Sequence, residues 1–171
     1  MTAPADRAAQ RALLERSARV RPGSVLYDGA TSTLFDVASG KALPLDWARV
    51  AAVEERSDAQ TRRGYCAVRL ESGVEIAVAD QGLAFAPVTA GTGPIAGLPR
   101  AVCFGDLAAA EGQLEHFLRD HAGEPPERAH VDLFLLCLAV VDGARAAGFD
   151  VAPEERRLER LLRELEARRR G

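Results

Sequence analysis

The hydrophobic rhythm of the chain changes near Cys103, and that change limits the fold more than any other feature. Before it, apolar residues alternate, as in Cys66, Val68 and Leu70 and again in Val74, Ile76 and Val78. After it they recur at helical spacing or run unbroken, as in Leu133–Val141. Alternation puts successive side chains on opposite faces of a strand, whereas a 3.6-residue period marks one face of a helix. The chain therefore reads as α+β: an N-terminal helical arm over 1–21, an antiparallel β region over 22–105 and a helical region over 106–171. The two larger parts are expected to share one core, because the helix after Phe104 starts without a linker.

A chain of 171 residues suits one domain and can bury a core without disulfides or metal. The net charge of -3 gives no global attraction to nucleic acid or anionic lipid. Lys41 is the only lysine among 22 basic residues, and there is no asparagine. This is the codon bias of a GC-rich, bacterial genome, so most arginines need not be anion ligands. Cys66, Cys103 and Cys137 are odd in number, far apart and set in apolar stretches. They read as small hydrophobes in a reducing compartment. No secretory leader is visible, and Leu133–Val141 is far shorter than the ~20 residues that span a bilayer. A cytoplasmic location is expected.

Residues 3–19 read as an Ala/Arg-rich helix with a thin stripe of Ala5, Ala9, Ala12 and Leu13. Asp28-Gly29 suggests a hairpin between 24–28 and 31–37, and Ser39-Gly40 the next turn. Residues 46–56 are ambiguous; one helical turn capped by Asp46, then a strand from about Val50, fits best. Residues 65–71, 74–79 and the pair Leu83 and Phe85 form an antiparallel meander with one wet face. The Gly/Pro-rich stretch 87–99 reads as an exposed loop, and Ala101–Phe104 as a last short strand. Three helices follow: 106–121 capped by Asp106, 127–147 apolar on every face, and one starting at Pro153. This run of short strands closed by a strand-then-helix step resembles, in outline, the small bacterial barrels similar to pleckstrin-homology domains. The outline covers about 24–121, is one of shape carried by no residue motif, and implies a barrel or curled sheet but no function.

His116, Asp120, His121 and His130 lie close in sequence. At about 100° per residue, however, His116 and His121 point roughly 140° apart on one helix and cannot share an ion. Ordinary surface or capping histidines are preferred, with no metal and no cofactor. Gly91-Thr92-Gly93-Pro94 lacks the Gly-Lys-Ser/Thr step of a phosphate loop. Asp132 and Asp142 stand ~15 Å apart along their helix, too far to act as one acid–base pair. Asp142 is expected to pair with an arginine of the last helix. From Glu154 onward seven arginines face five glutamates at salt-bridging spacing without interleaved aromatics, which disfavours nucleic acid.

Leu158, Leu161, Leu162 and Leu165 form a leucine stripe and the best candidate interface, either with the preceding helix or with a partner. The preferred reading is thus a non-catalytic interaction or assembly module, through a protein partner or self-association as a homodimer. An alternative is a small-ligand binder or enzyme with a site at the seam of sheet and helices, using His121, His130, Asp142 and Trp47. A third is peripheral binding to an acidic surface through Arg7, Arg11, Arg16, Arg62 and Arg63.

Overall fold

A computed structural model describes residues 4–57, 62–85 and 101–171. The expected loop at 87–99 lies outside the described residues. The chain divides into two compact units, Met1–Ala86 with Ala147–Phe149, and Pro87–Ala146 with Asp150–Gly171. Among the described residues, no helix is long and apolar enough to cross a membrane.

The first unit opens with α1 (Pro4–Arg19). Two antiparallel sheets follow. One holds β1 (Val25–Asp28), β2 (Thr33–Asp36) and β3 (Lys41–Pro44) in that order; the other runs β4 (Val50–Ser57), β5 (Gly64–Leu70), β6 (Glu75–Ala79), β7 (Gly82–Phe85). These are open ladders, and no closed barrel forms among the described residues. Strand β3 was not foreseen. Its four residues, Lys41 to Pro44, are too short to show an alternation, and pairing with β2 supplies what its own pattern lacks. The ambiguous stretch resolves as a 3-10 turn at Trp47–Arg49, where the Asp46 carboxylate accepts the Ala48 N–H at 3.0 Å, followed directly by β4.

The register of the larger sheet explains its alternation. Cys66 lies opposite Val78 and Val78 opposite Leu83; Val68 lies opposite Ile76 and Ile76 opposite Phe85. Every member of these two cross-strand rows is buried. A slip of one residue would turn both rows to the other face, so the core itself fixes the pairing. The thiol of Cys66 is pushed up to about 11 by this burial, which makes it a packing residue and not a nucleophile.

Helix α1 rests on β1, β4 and β5. Its buried face is Leu14, Ser17 and Ala18, while Ala9 and Ala12 of the expected stripe are exposed. One leucine outweighs several alanines in apolar area, so the face centres on Leu14. Arg7 donates to the Val50 carbonyl at 2.7 Å. Arg21 donates to the carboxylate of Asp80 at 3.0 Å, and Arg63 reaches the same carboxylate at 2.9 Å. Hydrogen bonding from Arg63, aided by the charge of Arg21, holds the Asp80 carboxyl below the usual carboxylate range. A carboxyl lowered in the fold contributes stability above its unfolded pKa of about 3.9, and that contribution is lost as pH falls through the folded value. Asp80→Asn should therefore cost less than about 1 kcal/mol at neutral pH, Asp80 being half exposed, and progressively less in acid as Asp80 itself becomes protonated. Urea titrations at neutral and acid pH check this; an equal cost in acid would show that the ion pairs are not its source.

The second unit contains β8 (Val102–Cys103), α2 (Phe104–Asp120), α3 (Arg128–Ala147) and α4 (Ala152–Arg170). Helix α2 starts two residues earlier than the sequence suggested. Asp106 is not the N-cap but stands inside the first turn, and its carboxylate reaches back to accept the Cys103 N–H at 2.9 Å. This is the return half of a capping box. Helix α2 buries Leu107, Ala110, Leu114 and Phe117.

Helix α4 was expected to lie on the helix before it, but its ladder of polar contacts runs along α2. Arg157 meets Glu111 at 3.1 Å and Arg160 meets Glu115 at 3.0 Å. Arg168 donates to the carbonyls of Leu118 and His121 at 2.6 and 2.8 Å. Contacts that advance together along both helices make α2 and α4 parallel. Arg168 thereby satisfies the Leu118 carbonyl in the last turn of α2 and shares the His121 carbonyl with the Glu124 N–H, where a cation also suits the dipole.

Candidate functional site

The histidines give the first clue to a site. The chain has three, and all of them line one open groove of about 650 Å³ within the second unit. Helix α2 presents its exposed side to this groove. Ala108, Ala109 and Gly112 lie there, followed one turn later by His116. Positions spaced by three or four share a helix face, so these small residues form a shallow floor. A Cβ placed on Gly112 would meet nothing within 4 Å, which confirms that the floor faces open space. Phe117, Leu133 and Pro125 supply apolar surface.

Phe117 and His130 lie together in the lining of the groove. Their rings stack with centroids 3.8 Å apart and planes 21° apart. His121 lies nearly parallel to the same phenyl ring at 5.8 Å, and the Arg168 guanidinium sits 5.8 Å from the ring centroid. His130 is fixed from a second side, because its Nδ1 accepts the Glu127 N–H at 2.9 Å. Position 130 is the third residue of α3, so this imidazole does what a glutamate does in a capping box. His121 and His130 thus come together around Phe117, as the sequence allowed, without forming an ion site. Among the described residues no cluster of ligands suits a metal. His116 turns to Asp120 at 2.8 Å on the solvent side, as the shared face implied.

The other two seam candidates stand apart from this groove. Asp142 does not line it. It accepts from Arg145 of its own helix at 2.9 Å, and Arg145 also binds Glu155 of α4. The expected pairing with α4 is therefore reversed: the arginine lies on α3 and the acid on α4. Trp47 lies in the first unit against Arg7 and Arg11, whose guanidinium carbons are 5.7 and 5.2 Å from its ring centroid. Two arginines of the acidic-surface reading are thus engaged with Trp47, and Arg63 is engaged with Asp80. Arg16 and Arg62 are exposed.

Of the leucine stripe, Leu158, Leu161 and Leu165 are buried within the chain, and Leu162 is 39% exposed. Helix α3 buries a wide arc that includes Phe134, Cys137, Val140 and Val141. Val131 and Leu138 of the same helix are 39% and 38% exposed, seven residues apart and so on one line. Burial, reinforced by the negative charge of Glu111, pushes the Cys137 thiol up to about 12. Ala108, Ala109 and Gly112 escaped the sequence reading, since alanine and glycine off the buried stripe look like plain helix filler. The signal that could have found them is that three small residues stand together on one face of α2, beside Gln113 and His116.

Compared with protein-family models, with curated proteins and with solved structures, the chain matches none of them.

Proposed function

We propose that the chain is a non-catalytic interaction module whose helical unit receives an apolar segment of a protein partner in the groove between α2 and α3. The observation that carries this reading is the small-residue floor of Ala108, Ala109 and Gly112 open to solvent beside Phe117 and Leu133. A groove of that kind lets a partner's backbone approach closely and bury its side chains against the walls, the usual mode by which a helix lies in a groove. A second reading, a small-molecule site, is favoured by the groove's volume, which falls in the range of such sites, and by its imidazoles.

Gly112→Leu separates the groove from the rest of the molecule. The new side chain fills open space, and replacing a mid-helix glycine should stabilise α2 by about 0.5–1 kcal/mol. Peptides selected on the wild-type protein from a random displayed library should bind Gly112→Leu at least about tenfold more weakly, the worth of roughly 1.4 kcal/mol of lost packing. Selected peptides that bind both proteins equally would refute the reading. A reproducible extra mass in native mass spectrometry, absent from Gly112→Leu, would favour the small-molecule reading instead.

A further inference from the structure

We infer that the segment received by the groove is an amphipathic helix carrying arginine or lysine beside its apolar face; this rests on the groove reading above. The chain has 22 basic residues, yet no arginine or lysine lines the groove among the described residues. Its formally charged lining residues are Glu124 and Glu127, both exposed. The arginines nearest the rim already have partners. Arg119 is bound to Asp120 and His116, and Arg128 to Asp132. Arg168 is spent on the carbonyls of Leu118 and His121. The three imidazoles are also held from within: His116 by Asp120, His121 by Glu124 and His130 by the Glu127 N–H. Apart from the Arg168 guanidinium over Phe117, the rim therefore offers acceptors and the carboxylates of Glu127 and of Glu124, which also meets His121, around an apolar floor. A partner bringing acidic residues would meet like charge as it docks, and nucleic-acid phosphates would do the same. A cationic flank meets Glu124 and Glu127 while its apolar face covers Ala109, Gly112 and Leu133.

The test uses the full chain and three synthetic amphipathic peptides of about 15 residues, long enough to approach helicity. They share one leucine/alanine face and carry arginine, glutamine or glutamate at its flanks. Fluorescence anisotropy gives each Kd at low and high salt. The arginine peptide should bind about fivefold more tightly than the glutamine peptide, the scale of one or two partly exposed ion pairs, and the glutamate peptide more weakly still. The ranking should flatten in Glu124→Gln/Glu127→Gln and at high salt. Equal binding of all three peptides, lost in Gly112→Leu, would overturn the charge preference and leave the groove reading standing. Binding unaffected by Gly112→Leu, or no binding by any peptide, would overturn both.

Discussion

Asp36→Ala is expected to lower the stability of the β-rich unit by about 3 kcal/mol, with Gly82→Ala costing a similar amount, about 3 kcal/mol. Asp36 is only 2% exposed, and it joins the two sheets of the first unit. One carboxylate oxygen accepts the N–H of Leu83 at 2.9 Å, at the start of β7; the other accepts the N–H of Ser39 at 3.1 Å, in the turn after β2. Leu83 is fully buried, so its N–H has no water to replace the lost acceptor, whereas exposed Ser39 does. Gly82 completes the arrangement. Its φ of +115° is a conformation that side chains other than glycine resist, and a Cβ there would lie 2.6 Å from the Asp36 carboxylate. Two costs are thus combined at Gly82, and Asp36 is responsible for one of them. In an Asp36→Ala background the collision disappears and only the backbone strain remains. The double variant should accordingly be at least about 1 kcal/mol more stable than the two single costs imply. Trp47, the only tryptophan, lies in this unit and reports its unfolding by fluorescence in urea. Strict additivity would show that Asp36 and Gly82 do not meet, and an unchanged midpoint for Asp36→Ala would remove the inter-sheet tie altogether.

Asp36 also shows where sequence reading stops. Its neighbours Leu34 and Phe35 suggest a strand, and nothing local distinguishes its carboxylate from a solvated one. Its role comes from Leu83, forty-seven residues on. Local features fared better. The rows through Val68 and Cys66, the 3-10 turn capped by Asp46 and the paired faces of His116 and Asp120 follow from spacing along one element. Features that join elements did not show. Arg168 looked self-paired, because Glu164 stands four residues before it on α4, and Arg157 and Arg160 looked like further members of the same charged surface helix. They pair instead with Glu111, with Glu115 and with the last carbonyls of α2. An arginine reaching across to another helix meets carboxylates or carbonyls already held in place, and it gives up less side-chain freedom than a pairing of two mobile chains requires. The groove was hidden for a related reason. It is made by what α2 lacks at Ala108, Ala109 and Gly112, and only the course of α3 beside it turns that lack into a site.

Leu161→Glu should unfold the helical unit, with a loss of about 4 kcal/mol or more, while Leu162→Glu should leave its melting within about 0.5 kcal/mol of wild type. The two positions are adjacent on α4 and receive the same new side chain, so helix propensity and net charge change equally. They differ in burial: Leu161 is 1% exposed and Leu162 is 39% exposed. Glutamate at 161 would lose the burial of a leucine, worth about 2 kcal/mol, and would desolvate a carboxylate. Glu115 and Glu164 border the same place, as do Arg119 and Arg160, but Arg160 is already bound to Glu115 and Arg119 to Asp120, so any pairing of the new charge would compete with existing ion pairs. Thermal melts followed by far-ultraviolet circular dichroism separate the cases. A wild-type melt for Leu161→Glu would mean that the leucine stripe of α4 is not part of the core, and the stripe would again be the leading interface candidate. A folded Leu162→Glu alongside an unfolded Leu161→Glu would confine any association through α4 to its exposed edge at Leu162, which is not part of the groove lining.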